Sequence, residues 1–355
     1  MAKDKIGVFF GGRSQEHEIS ILSASSVLDE LDMSLHDVIK IGISKDGNWY
    51  RIDKDMSRIR NLNDPRIAAL IPSEESASEV LSPSKLLSEL DFAFPVLHGP
   101  YGEDGKIQGL FDMSGIPYAG CGHTSSALAM DKIFAKDVLQ HEGLPVLDFI
   151  CIHRREMHGD KKSAIKRCEE AIMYPMFVKP ANMGSSVGVS RVENREELDK
   201  ALTEALKYDE RIIVEETSFG REFEAAVIGN DEPEAALAVG EIEFDTSFYD
   251  YETKYRDGAA RLYIPADISD GLRDEIRRLA VLCFEALGGS GFSRVDFFVD
   301  EKSGKPIINE MNTIPGLTQY SMFPTLWEAS GLCFKDLIER IIDLGYERYS
   351  AQNKW

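Results

Sequence analysis

The sequence predicts an α/β protein of two or three domains. Three observations carry that prediction. Its 355 residues are too many for one ordinary core. Short apolar runs ending in glycine alternate with stretches of helical spacing. The first three such segments read strand, helix, strand.

KIGVFFGG (Lys5 to Gly12) is an apolar run closed by glycines, the pattern of a buried parallel strand. EISILSASSVLDEL (Glu18 to Leu31) sets Ile21, Leu22, Val27, Leu28 and Leu31 at helical spacing, and VIKIGIS (Val38 to Ser44) is the next strand. Ser14 could cap this helix, with Glu16 and Glu18 in its first turn. Residues 53–90 are polar and weakly patterned, which predicts a variable loop region with a short helix. DFAFPVLHG (Asp91 to Gly99) is a strand running into a loop, GEDGKIQGLFDMSGIPYAG follows, and the first domain is expected to end near Gly120. SALAMDKIFAKDVLQHEG (Ser126 to Gly143) reads as one helix closed by Gly143. MYPMFVKPANMGSSVGVSRV (Met173 to Val192) reads strand, glycine-rich loop, strand. REELDKALTEALKYD (Arg195 to Asp209) is a helix and RIIVEET (Arg211 to Thr217) a strand. The remainder is mostly strands, with helices at DGLRDEIRRLAVLCFEALG (Asp270 to Gly288) and near CFKDLIERIIDLG (Cys333 to Gly345).

Composition excludes several classes. A hydrophobic fraction of 43% with 9% aromatics suits a globular chain with a real core. No run of 18 apolar residues is present, so no membrane span is expected. MAKDKIGVFFGG enters a strand pattern with no apolar leader region, so no secretory signal is expected. The five cysteines, Cys121, Cys151, Cys168, Cys283 and Cys333, are odd in number and widely spaced, which argues against disulfides and CxxC zinc sites and suits a reducing cytosol. A formal charge of −21 repels nucleic acid and anionic membranes. Any phosphate must therefore be held by a few local lysines, arginines and backbone N–H groups.

The strongest chemical signal lies near the C-terminus. SRVDFFVDEKSGKP (Ser293 to Pro306) runs into PIINEMNTIPG (Pro306 to Gly316). Period-two alternation puts Arg294, Asp296 and Phe298 on one face, and Ile308, Glu310 and Asn312 on one face of the returning strand. EKSGK is the turn between them. A hairpin centred on Ser303 pairs Asp296 with Glu310 and Arg294 with Asn312, at Cβ separations of roughly 4.5–5.5 Å. Two carboxylates that close repel unless a cation lies between them. Asp296, Glu310 and Asn312 therefore read as hard oxygen ligands for Mg²⁺, and Arg294 as a stabiliser of developing negative charge. The flanking VDFFV and PIINEM are too apolar for a merely solvated hairpin face.

FVKPANMGSSVGV (Phe177 to Val189) puts Lys179 at the end of an apolar strand, followed by Gly184-Ser185-Ser186. A lysine there needs an anionic partner, and the loop's N–H groups form a nest for phosphate oxygens. The Walker pattern is absent, and GGRSQEHE lacks the G-x-G-x-x-G of a dinucleotide fold. Lysine, glycine loop and carboxylate pair together fit one task, holding ATP with Mg²⁺. IIVEETSFGREF (Ile212 to Phe223) adds Glu215 and Glu222 at a strand edge, where a hinge can read adenine through its backbone and a carboxylate can bind ribose.

With these residues in place, the chain resembles the D-alanine–D-alanine ligases of the ATP-grasp superfamily over nearly its whole length. GGRSQEHEIS, LHGPYGEDGKIQG, AMDK, VKPANMGSSVGV, FYDYETKY, SRVDFF and NEMNTIPGLTQYS occur in family order; the likeness is weakest at about 50–90 and 153–170. The resemblance implies an α/β, three-domain ATP-grasp fold with an N-terminal Rossmann-like domain. Its domains would be 1–120, a central 121–214, and a C-terminal 215–355 carrying the metal site and a mobile ω-loop.

The resemblance also implies roles. ATP would lie between the second and third domains, with Lys132, Lys179, Ser186 and Lys254 on its phosphates, Glu215 and Glu216 at adenine and Glu222 at ribose. Asp296, Glu310 and Asn312 would ligate two Mg²⁺ ions, for which Mn²⁺ can stand in. Glu16 would bind the ammonium of the first D-alanine. Ser321 and the Met322 backbone would take the carboxylate of the second, with His98 nearby. Arg294 and the Gly316 N–H would hold the tetrahedral oxyanion. Tyr255, on the ω-loop FYDYETKY (Phe248 to Tyr255), would bond Ser185, which in turn meets Glu16. The implied reaction phosphorylates one D-alanine and joins it to a second, for peptidoglycan precursors, in a cytoplasmic homodimer with no nucleic-acid or membrane partner. The retained YxxKY lid disfavours D-lactate as acceptor, whereas D-serine differs by only a hydroxyl. Retention of Lys179, Arg294, Asp296 and Glu310 disfavours a catalytically silent nucleotide-binding protein. The hinge departs from many relatives in carrying Glu216 and Thr217 where they have a basic or bulky residue.

Overall fold

The computed structural model describes residues 3–73, 79–184, 187–244, 260–300 and 302–352. Ser185, Ser186, Lys254, Tyr255 and the whole Phe248 to Tyr255 segment lie outside the described residues. The described residues form three sheets.

The first comprises β1 (Asp4–Gly11), β2 (His36–Ile43), β3 (Trp49–Arg51), β4 (Glu79–Leu81) and β5 (Phe92–Pro95), in the order β4-β3-β2-β1-β5. The central pairs β1–β2 and β1–β5 are parallel, and Ile6, Val8, Phe9 and Phe10 are all buried, as the continuous apolar run dictates. Helix α1 (His17–Glu30) is the crossover between β1 and β2. Its N-cap is Glu16, with Glu18 in the first turn; Ser14 Oγ accepts the Glu16 N–H at 3.1 Å, so Ser14 braces the turn before the helix and does not cap it. Residues 53–73 and 79–90 carry more regular structure than their pattern suggests, holding β4, α2 (Arg66–Leu70) and α3 (Pro83–Leu87). Met56, Ile59, Ile67 and Leu70 bury against the Ala24 and Val27 face of α1, at spacings with no regular period. Helix α4 (Lys106–Ser114) follows the loop after β5.

The second sheet is antiparallel, ordered β6-β9-β7-β8 from β6 (Phe149–His153), β7 (Met176–Pro180), β8 (Ser190–Val192) and β9 (Arg211–Glu216). Helices α7 (Arg154–Ala171) and α8 (Arg195–Ala205) cover it through Ile165, Cys168, Leu198 and Leu202. The single helix expected over 126–143 is two, α5 (His123–Met130) and α6 (Lys132–His141). Asp131 breaks it: its backbone is extended, and its carboxylate accepts the Phe134 N–H at 3.2 Å, an N-cap that restarts the helix at Lys132.

The third sheet is built from β10 (Gly220–Gly229), β11 (Glu234–Ala235), β12 (Gly240–Phe244), β13 (Ala260–Tyr263), β14 (Gly291–Asp300) and β15 (Pro306–Asn312). It runs β13-β12-β10-β14-β15, with β11 on β10. Helix α9 (Asp270–Ala286) packs Ile276, Leu279 and Cys283 on one face against Val295, Phe297 and Met311. Helix α10 (Met322–Ala329) was not foreseen, and α11 (Phe334–Gln352) outruns the expected helix end at Gly345. Both share a core with the first sheet, where Ile341 and Phe323 join Phe92 and Ile6. Gly345 allows this: a Cβ there would fall 2.6 Å from the Phe92 ring and the Tyr118 carbonyl.

Candidate active site

The β14–β15 hairpin has the register its sequence predicts at the chemical end: Arg294 pairs with Asn312 and Asp296 with Glu310. Beyond that point the ladder slips, and Phe297 pairs with Ile308. One extra residue on β15 makes a β-bulge, so Ile308 turns into the core at 0% exposure instead of sharing a face with Glu310 and Asn312. The bulge lets β15 bury Ile308 and Met311 on one side while Glu310 and Asn312 stay on the other.

Asp296 is gripped by Arg294, whose Nε and Nη2 donate to its two oxygens at 2.6 and 2.7 Å; the Asn312 amide adds a third donor at 3.0 Å. A carboxylate not anticipated from sequence completes the row. Glu224 on β10 pairs with Asp296 in register and lies 3.2 Å from Arg294 Nε. Glu224, Asp296 and Glu310 thus span three neighbouring strands. Burial works against the Arg294 charge, but Asp296 and Glu224 hold its pKa well above the ordinary value. Among the described residues no group of three His, Cys, Asp or Glu is gathered to hold a metal unaided. The available donor set is two facing carboxylates and the Asn312 amide.

Lysines close the row from the second sheet. The Asp131 cap sets Lys132 at the start of α6, where its ammonium lies 3.4 Å from Glu310 and donates to the Met183 carbonyl of the glycine loop at 2.9 Å. Lys179, at the end of β7, pairs with Glu215 on β9. Lys136, one turn beyond Lys132, sits 2.9 Å from the other Glu215 oxygen. Burial works against the Glu215 charge, but Lys136 and Lys179 hold its carboxyl at about 2. The Glu215 side chain is therefore committed to two lysines and faces inward at 1% exposure. Glu216 ends β9, and Glu222 lies on β10 opposite Phe298 and Ile242, part-buried on the same side of the strand as Glu224.

The loops of the first sheet meet this row. The Glu16 carboxylate lies where the loop after β5 approaches the glycine loop: a Cβ at Gly99 or Gly184 would fall 2.9 or 3.5 Å from its Oε2. His98 and a second unanticipated residue, Glu103, grip Ile314 together. With its proton on Nδ1, His98 donates to the Ile314 carbonyl at 3.0 Å, while Nε2 accepts from Ser23 at 3.0 Å. Glu103 accepts the Ile314 N–H at 3.2 Å and the Gly99 N–H at 2.7 Å. Burial, then the Glu16 charge, pushes the Glu103 carboxyl up to about 8. The chain turns next at Pro315-Gly316, where a Cβ on Gly316 would fall 2.7 Å from Ser321 Oγ. Ser321 is the N-cap of α10, and its hydroxyl bonds Thr318. Met322 buries its side chain over Gly240 at the first position of the helix.

Of the residues singled out from sequence, Glu16, His98, Lys132, Arg294, Asp296, Glu310, Asn312, Gly316 and Ser321 are joined by this chain of contacts, while Lys179 and Glu215 pair with each other on the second sheet.

Two family models match the chain, that for the D-ala D-ala ligase N-terminus over residues 5–121 and that for the C-terminus over 138–343. The chain belongs to the D-alanine–D-alanine ligase family. The family's relatives match end to end. The D-alanine–D-alanine ligase of Acetivibrio thermocellus is 44% identical over 99% of this chain and 98% of its own, and that of Staphylococcus epidermidis 43% over 100% and 98%. Among solved structures, the VanG D-Ala:D-Ser ligase from Enterococcus faecalis superposes with TM-score 0.85 at 37% identity, over 97% of this chain and all of that one. The D-alanine–D-alanine ligase from Coxiella burnetii gives 0.82 at 34%, over 100% of this chain and 97% of that one. The ATP-grasp fold expected of such a ligase is the fold these neighbours share.

Proposed function

We propose that this chain is an ATP-dependent ligase that joins two D-alanines into D-alanyl-D-alanine for peptidoglycan precursors. The observation that carries this reading is the register of Asp296 against Glu310, with the Lys132 ammonium at its edge. That arrangement gathers the charges a triphosphate needs beside loops that can hold an amino acid.

Glu16 holds the ammonium of the first D-alanine, at the meeting point of the Gly99 and Gly184 loops. Lys132 and Lys179 take the nucleotide phosphates, Ser186 and Lys254 would add further phosphate contacts, the Glu216 hinge backbone faces adenine, and Glu222 binds ribose. The first D-alanine carboxylate attacks the γ-phosphorus, ADP departs, and an acyl phosphate remains. The amine of the second D-alanine then attacks the acyl carbon, and phosphate leaves. Arg294 and the Gly316 N–H stabilise the intervening oxyanion. The start of α10, with Ser321 and the Met322 N–H, receives the second carboxylate, because the first N–H groups of a helix lack intrahelical partners. Tyr255 and Ser185 would act with Glu16 beneath a lid that keeps water from the acyl phosphate.

Asp296, Glu310 and Asn312 suit Mg²⁺, an ion bound through one or two carboxylates plus substrate phosphates rather than by an all-protein cage. Bound there, Mg²⁺ or Mn²⁺ neutralises the charge of the transferring phosphoryl group. Domain limits of 1–120, 121–214 and 215–355, a homodimer and a cytoplasmic location complete the proposal; no helix among the described residues is long and apolar enough to cross a membrane. D-serine as acceptor is the second reading, raised by the likeness to a D-Ala:D-Ser ligase but not favoured by the more similar D-alanine–D-alanine ligases. Mass spectrometry of the product from ATP with equal D-alanine and D-serine tests both. A predominance of D-alanyl-D-alanine supports the first reading, and a predominance of D-alanyl-D-serine replaces it.

A further inference from the structure

Lys136 is a buried cation that neither phosphate contact nor oxyanion binding accounts for. It lies four residues beyond Lys132 on α6 at 2% exposure. Its ammonium is 2.9 Å from Glu215 Oε2, a buried charge pair. Glu215 is as deeply buried, and its other oxygen meets Lys179. The two lysines differ in reach: the Lys179 side chain keeps 15% exposure and Lys136 only 3%. Lys179 stands opposite Ile213 in register, and its ammonium reaches back along β7 to Glu215 and over the Phe177 ring, 5.5 Å from the centroid. A purely structural site of this depth is served better by apolar packing than by a desolvated ammonium.

We propose that Lys136 is a positioning residue: by occupying Glu215 Oε2 it confines Lys179 to Oε1 and keeps the Lys179 ammonium available to the nucleotide. Without Lys136, Lys179 is the one cation among the described residues paired with the Glu215 carboxylate, and the pair closes inward. The proposal rests on the reading of Lys179 as a phosphate contact.

The test compares Lys136→Met, Lys136→Arg and Lys179→Met in the full chain. ADP release is measured with ATP and D-alanine varied separately, and a fluorescent ATP analogue is titrated without D-alanine. Lys136→Met is expected to raise the ATP KM and the analogue Kd roughly tenfold, the worth of one charge-assisted contact. The D-alanine KM stays unchanged, kcat at saturating ATP stays within about threefold, and Lys136→Arg restores the ATP KM. Should Lys136→Met fail to fold, Lys136→Gln carries the same comparison. An ATP KM within about twofold of the parent, with only the melting temperature lowered, overturns the proposal and makes Lys136 structural. An unchanged ATP KM in Lys179→Met instead overturns the underlying reading of Lys179, and the proposal with it.

Discussion

Asp296 and Glu310 stand opposite each other on neighbouring strands, at the last regular pair before the ladder slips. The slip is what makes the pairing compatible with a core. A regular strand would have put Ile308 on the carboxylate face; the bulge sends it inward and leaves Glu310 beside Lys132. Within the protein, Arg294 faces both Asp296 and Glu224, and Lys132 faces Glu310. On the proposed reading, nucleotide phosphates and metal ions would take the places of these internal partners.

Glu310→Gln keeps the side-chain shape and removes the charge. ADP release should fall by about 10³-fold, the scale of losing a group that stabilises transferring charge. The melting temperature should hold, since Glu310 is only part-buried and its lysine also bonds Met183. ADP release at the parent rate would remove Glu310 from the metal site.

Glu103 makes a prediction about pH. Its folded-state carboxyl lies near 8, above its ordinary value of 4.5. Between those values the folded chain holds a proton that the unfolded chain has lost, so stability falls as pH rises through that window. Glu103→Gln cannot ionise, so its melting temperature should fall less steeply from pH 5 to pH 8. Parallel profiles for the two proteins would show that Glu103 is ionised throughout.

Gly99 has φ +70°, and a Cβ there would fall 2.9 Å from Glu16 Oε2. Gly99→Ala should cost about 1–2 kcal/mol for the left-handed backbone. It should also raise the KM for D-alanine by displacing the Glu16 carboxylate, with the ATP KM unchanged. Equal shifts in both constants would place Glu16 away from the amino acid.

Glu215→Gln leaves two lysines without their shared buried counter-charge. Denaturant unfolding should show a loss of about 3 kcal/mol or more. A loss under about 1 kcal/mol, the size of an exposed pair, would mean that the cluster is solvated.

What was legible in the sequence was local. Alternation and a turn signal set Asp296 against Glu310, and the glycine-closed apolar runs set the parallel strands. The helix break at Asp131 escaped because apolar spacing continues across it, and only the cap geometry interrupts it. The bulge at β15 leaves no mark on composition. Glu103, Glu224 and Lys136 escaped for one shared reason: each matters through a partner far along the chain. Glu103 is buried by Ile314, 211 residues away, Glu224 by the strand that carries Arg294, and Lys136 by Glu215. A charged residue in a polar loop or on a helix looks solvated until its partner is placed.

The most direct measurement is electron paramagnetic resonance of Mn²⁺ titrated into the protein with a non-hydrolysable ATP analogue, for the parent chain and Glu310→Gln. The facing carboxylates predict tight Mn²⁺ binding that requires the nucleotide in the parent and is lost in the variant. Equal Mn²⁺ binding in both proteins, or none in the parent, would contradict the assignment of Asp296 and Glu310 as the pair that holds the metal and its nucleotide.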